Sequence, residues 1–290
     1  YPLRRQRQMC IRDRDGKIII IFRKLLLLLL LAFGNVNADQ RLHSGDVVLV
    51  PLQNSEINTE FFYKNNLITT INKNNKHYLL FGIPYYSSVG TNSFVFTTQN
   101  YEKVIKLNIE PKKFGSQNIK INKYKKKSQE LLERIYSEKR EIIRAKKIKY
   151  KHYPDINFMI PVEGIVTGVY GTQRYYNGKK GNYHNGHDIA ADTGTTIYSP
   201  SPGKVILTGD YYYNGKFVMI NHGNNLISIF LHMDDIHVSE GRNVDKGEPI
   251  GTVGNTGLST GPHLHWSVLL NNTYVDPLGL VKNNKVKLDN

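Results

Sequence analysis

The stretch HLHWSVLL (His263–Leu270) is rich in aromatic, β-branched and aliphatic residues. It is bounded by GNTGLSTGP before it and NN after it, which predicts a strand. Side chains at i and i+2 of a strand share a face. His263 and His265 are therefore expected to point one way, and Leu264 and Trp266 the other. Two imidazoles on one face of a rigid strand suit a metal site, where one ligates and the second stands beside the ion. Two ordinary hydrogen-bonded strand histidines would leave the same H-x-H pattern, which alone does not choose between these readings.

Further runs of the same kind surround this strand. From Pro161 onward, GIVTGVYG, TTIYSP, GKVILTG, FVMINHG, LISIFLHM and PIGTVG alternate with Gly-rich turns and show no long helical period. They predict a compact antiparallel β-domain over residues 155–281. Upstream, DVVLVPL, HYLLFGIP, SFVFTT and VIKLNIEP predict a small β-module over 39–122. Between them, residues 123–154 predict a basic helical linker, with Ser128 as its cap and Pro154 as its stop. Leu131, Leu132, Ile135, Tyr136, Ile142 and Ile143 form its apolar stripe. The expected fold class is mainly β: a small N-terminal β-module, a linking α-helix and a C-terminal antiparallel β-sheet domain.

The net charge of +15 looks at first like a nucleic-acid signal, but it is unevenly placed. Residues 102–151 carry 17 basic and 6 acidic side chains, whereas residues 152–290 carry 10 and 12. No basic module with interleaved aromatics accompanies the linker, so no nucleic-acid partner is expected. Its lysines are read as a solvated face, with peripheral contact to a membrane or an anionic wall polymer as the alternative.

Residues 1–15 resemble translated adapter sequence and are set aside. Residues 16–38 read as a signal peptide: basic residues, a nine-residue apolar core from Leu25 to Phe33, and a cleavage site after Ala38. A bilayer span needs about twenty residues, so export to the periplasm or cell envelope is expected. Residues 282–290 are a tail. Cys10 is the single cysteine, and its surroundings, RRQRQMCIRDR, lack the apolar and small residues that precede a lipidated cysteine. The exported chain would then hold no thiol, so any metal site must use His, Asp or Glu.

YHNGHDIAADTGT places His184 and Asp188 four apart. The Asn-Gly before Asp188 and the Asp-Thr-Gly after it argue for a turn running into a strand rather than a helix. If a loop brings His184 and Asp188 to His265, the three form a His2Asp set with a fourth tetrahedral position open, the form of a catalytic zinc site. No H-E-x-x-H helix exists to supply a glutamate base. His232, which ends an apolar strand, and His263 are available for proton transfer.

HNGHDIA, LHM and STGPHLHW together resemble the H-x-x-x-D, single-His and H-x-H motifs of lysostaphin-type and LytM-type zinc endopeptidases, over about residues 155–280. That resemblance implies one Zn2+ per chain, ligated by His184, Asp188 and His265, with His232 and His263 as catalytic residues that orient or deprotonate the attacking water. It implies peptidoglycan stem peptides as the substrate, cut at the D-Ala to meso-diaminopimelate cross-link. The N-terminal module is similar in layout to a regulatory domain that covers the metal groove in relatives. Non-enzymatic relatives that activate a murein amidase are the alternative, but these lack ligand residues, and here all five positions are filled. His187, beside Asp188, is expected to point elsewhere. His222 is read as a strand-end residue and His237 as a surface one. Arg174, Tyr175 and Tyr176 are read as part of a loop before His184 that contacts substrate or the oxyanion. Trp266 stands where many relatives carry Phe.

Overall fold

The computed structural model describes residues 41–120, 127–152, 154–281 and 286–287. The predicted leader, the segment 1–15 and most of the tail lie outside the described residues. The N-terminal region holds β1 (Val47–Pro51), β2 (Thr69–Lys73), β3 (Lys76–Gly82), β4 (Gly90–Thr97), β5 (Glu102–Ile109) and β6 (Ser116–Ile119). The helix α1 (Gln129–Ala145) follows. The C-terminal half holds β7 (Ile165–Gly168), β8 (Gln173–Tyr176), β9 (Lys179–Tyr183), β10 (His187–Ala190), β11 (Gly203–Tyr211), β12 (Gly215–Gly223), β13 (Leu226–Ile236), β14 (Pro249–Val253) and β15 (His263–Leu270). Among the described residues, no helix is long and apolar enough to cross a membrane.

The main sheet runs β11, β12, β13, β15, β10, β7, and each of these pairs is antiparallel. Its central strands read as continuous apolar runs because both faces are covered, which removes the simple in-out alternation. Val205, Val218, Phe230, Trp266 and Val268 fill one face. Ile206, Phe217, Met219, Ile229 and Leu269 fill the other. Trp266 is fully buried and opposes His187 on β10 and Phe230 on β13.

The helix is more than a connector. Ser128 caps it by accepting from the Leu131 amide, and Ile142 and Ala145 pack on the second face of the main sheet. That face presents apolar side chains that must be covered. Only part of the predicted stripe is used, since Tyr136 and Ile143 stay exposed. The buried Glu138 anchors the contact by accepting from Arg134 and from the Tyr212 amide.

The two β regions share one core. Strand β1 has apolar residues on both faces: Val47 and Leu49 join the cluster containing Phe230, Trp266 and Leu280, while Val48 and Val50 pack against Phe61, Phe81, Phe94 and Phe96. Each fully buried aliphatic or aromatic contributes about 1.5–3 kcal/mol. The stability of the two regions is therefore coupled through Val47, Leu49, Ile71 and Leu80.

Candidate metal centre

Asp188 on β10 and His265 on β15 are direct cross-strand partners, so their side chains stand side by side on one face. His184 lies just before β10, where the chain turns over Gly186, and its ring swings back to the pair. The three donor atoms converge closely. His265 Nδ1 lies 2.7 Å from Asp188 Oδ1, His184 Nε2 lies 3.0 Å from the same oxygen, and the two imidazole nitrogens are 3.1 Å apart. All three groups are largely buried.

The remaining ring nitrogens reveal the tautomers. His184 Nδ1 donates to the Val169 carbonyl at 3.0 Å, which leaves Nε2 as a lone pair. His265 Nε2 donates to Ser267 Oγ at 2.7 Å, and that hydroxyl can pass its own proton to Asn185 Oδ1 at 3.3 Å, which leaves Nδ1 as a lone pair. Two imidazole lone pairs and a carboxylate oxygen then face one another at about hydrogen-bond distance, an arrangement that calls for a cation. A tetrahedral zinc with bonds of about 2.0–2.1 Å holds its ligand atoms about 3.3 Å apart, close to the spacings seen. The donor set fits zinc, and oriented outer partners of this kind are usual around metal-ligating histidines.

Electrostatics point the same way. Burial alone would raise the Asp188 pKa, but whenever no cation is bound a proton on a facing ring nitrogen of His184 or His265 outweighs it and holds the carboxyl far below its ordinary range, the same stabilisation of the anion that a cation would give. Burial also lowers the pKa of His265, against the pull of Asp188, so a neutral, ligating imidazole is favoured. Gly168 on β7 passes directly beneath Asp188, where a Cβ would lie 2.5 Å from Oδ2. Any side chain there would displace the carboxylate.

His263 shares the face of His265, as strand alternation predicts. Its Nδ1 is 2.8 Å from the Gly261 carbonyl, and its Nε2 lies 3.8 Å from Asp188 Oδ1. His232 reaches the same place by a different route. The register of β12 and β13 slips at this point, and His232 adopts φ 65°, a left-handed conformation that is costly outside glycine. Its Nδ1 donates to the Thr256 carbonyl at 2.9 Å, and its ring centroid is 4.9 Å from that of His263. Burial pushes the His232 pKa down to about 4, so it is neutral near pH 7, with Nε2 as an acceptor. His187 turns to the opposite face and meets Asp276 Oδ1 at 2.8 Å.

Arg174, Tyr175 and Tyr176 are not in a loop. They form β8, which pairs with β9 across Asn177-Gly178, where φ values of 49° and 79° match a primed two-residue turn. The Asn-Gly in YYNGKK was the signal for this hairpin. β6 adds a parallel third strand to it, and Tyr85 stacks on Tyr183 with ring centroids 3.7 Å apart. The N-terminal region thus meets the hairpin beside the centre. Among the described residues, the three donor groups hydrogen-bond Val169 and Ser267 and form longer ion-pair contacts with Arg174 and His263, all in the C-terminal half.

Residues 182–277, which hold all five candidate side chains, match the model described as Peptidase family M23. This segment is a peptidase family M23 domain. It is similar to the peptidoglycan DD-endopeptidase ShyA of Vibrio cholerae, 42% identical over 87 residues that cover 30% of this chain and 20% of that protein. The DD-carboxypeptidase/endopeptidase Mpg of Neisseria meningitidis is 39% identical over 97 residues, covering 33% and 22%. The matched segments thus span about a fifth of these relatives' length. A solved Pseudomonas aeruginosa structure described as a peptidase M23 superposes more widely: TM-score 0.67 at 29% identity, over 83% of this chain and 96% of that one.

Proposed function

We propose that this chain is a zinc-dependent endopeptidase that hydrolyses peptide cross-links of peptidoglycan, at the bond between D-Ala and meso-diaminopimelate, in the cell envelope. The observation that carries this reading is the convergence of His184 Nε2, Asp188 Oδ1 and His265 Nδ1 within 3.1 Å of one another, with both outer imidazole nitrogens committed as donors. The names of the relatives, DD-endopeptidase and DD-carboxypeptidase/endopeptidase, supply the substrate class. The amidase-activator alternative is not favoured, because the donor set is intact.

These three residues would hold the zinc, which when bound acidifies water to a pKa of about 7 and polarises a carbonyl. The chain supplies the rest. His232 keeps its proton at Nδ1 for Thr256 and accepts one at Nε2. His263 holds its own proton against Gly261 and offers Nε2 on the same side. The two imidazoles can take the proton from the attacking water and return it to the departing amine.

Incubation of the purified, zinc-loaded protein with cross-linked muropeptide dimers tests the reading. Monomers are expected, and their absence would overturn it. His232→Ala is expected to keep its zinc while losing about 100- to 10,000-fold in turnover, the range for a lost proton-transfer group.

A further inference from the structure

One charged group beside the centre takes no part in the proton transfers described above. Arg174 projects from β8 so that one terminal nitrogen lies 3.5 Å from Asp188 Oδ2, the carboxylate oxygen turned away from the two histidines. Its Nε–H is buried and has no hydrogen-bond partner, while the side chain as a whole is 30% exposed. A buried guanidinium donor without an acceptor is costly. The contact to Asp188 is made by a terminal nitrogen and leaves Nε unanswered, so the guanidinium keeps a vacant buried donor behind a partly exposed fork. The backbone holds it there. The β8–β9 register slips by one residue between Gln173 and Tyr175, β6 pairs Gln117 with Arg174, and the Gln173 amide ties down the Gly181 and Arg174 carbonyls.

The chemistry of the substrate supplies an acceptor. In a D-Ala to meso-diaminopimelate cross-link, the nitrogen released on hydrolysis is attached to a carbon that also bears a free carboxylate, two bonds from that nitrogen. A DD-carboxypeptidase substrate has the same arrangement at its terminal residue. A cross-bridge continuing as an ordinary peptide does not. Planar bidentate recognition of a carboxylate is what a guanidinium does best.

We propose that Arg174 is the specificity-determining residue of this site, binding the free carboxylate on the leaving-amine side of the scissile amide. This rests on the endopeptidase reading above. It would select bonds whose leaving residue ends in a carboxylate and would orient the amine towards His232 and His263.

The test compares two muropeptide dimers, identical except that the acceptor diaminopimelate carboxyl is free in one and amidated in the other. The full zinc-loaded chain is expected to prefer the free form by about 10- to 100-fold in kcat/KM, the worth of a hydrogen bond to a charged group. Arg174→Gln should lose that factor on the free dimer alone, mainly through KM, and cut the two dimers equally. Arg174→Lys should fall between, because it keeps the charge without the fork. Zinc content, measured in every variant, should not change. If Arg174→Gln slows both dimers alike, or loses zinc, Arg174 only positions Asp188 and the proposal fails. If the parent protein cuts the two dimers at equal rates, the proposal fails while the endopeptidase reading stands. If the parent cuts neither, the endopeptidase reading falls and takes this assignment with it.

Discussion

His222 and His265 lie on neighbouring parts of one sheet and are both buried, yet they have opposite surroundings. His222 Nδ1 is 2.9 Å from the Pro202 carbonyl and Nε2 is 2.8 Å from Ser228 Oγ, so both nitrogens are answered by neutral protein groups. His265 has one nitrogen answered by Ser267, while the other faces a carboxylate oxygen and a second imidazole nitrogen. Burial is therefore not the mark of the candidate centre. What marks it is a set of acceptors that the protein leaves facing one another.

The largest effect should come from breaking the centre itself. His265→Ala removes a donor, and zinc content measured by elemental analysis should fall to background, well beyond the roughly 10–100-fold that loss of an outer hydrogen-bond partner costs. His222→Ala should leave zinc content unchanged. Equal zinc in the His265→Ala variant and the parent would remove the ligand assignment.

A smaller effect should come from the floor of the site. Gly168→Ala places a methyl 2.5 Å from Asp188 Oδ2 and 3.0 Å from its Cγ. The carboxylate must shift while its protonation chemistry and the two histidines stay as they were. Zinc affinity, read by competition with a chelator, should drop by about 10–100-fold, the penalty of a misoriented ligand. An unchanged affinity would mean that the carboxylate tolerates displacement.

These two positions also show how far residues alone reach. Strand period made the shared face of His263 and His265 legible, and the same period extends to Ser267, the next residue on that face, which anchors His265. The contribution of Gly168 is invisible before pairing is known, because β7 reaches Asp188 only through the register of two strands 20 residues apart in sequence. His232 was legible by residue type and not by position, since its approach depends on a bulge and a positive φ. The β8–β9 hairpin was written in Asn177-Gly178, but its polar, lysine-rich flanks hid the strands. The shared core between the two β regions was hidden in a different way. The apolar run Val47–Val50 announces a strand buried on both faces, but not which distant segment covers each face.

A last effect separates the two histidines by pH. Burial lowers the His222 pKa from its ordinary 6.5 to about 4; hydrogen bonds to the Pro202 and Ser201 backbone, and the more distant charge of Asp155, oppose it only in part. The unfolded chain therefore binds a proton that the folded chain refuses between pH 6.5 and 4. Stability linked to His222 is complete above pH 6.5 and is lost as pH falls towards 4. A shift of this size corresponds to about 3 kcal/mol. Urea unfolding of the metal-free protein at pH 7 and pH 4.5 should show most of that loss, and His222→Gln should show a flatter profile from a lower starting stability. The difference between the two profiles isolates His222, because the centre's own groups are common to both proteins. If the profiles run parallel, His222 is not the buried neutral histidine against which the His265 centre is defined, and the contrast between the two sites would then have to rest on geometry alone.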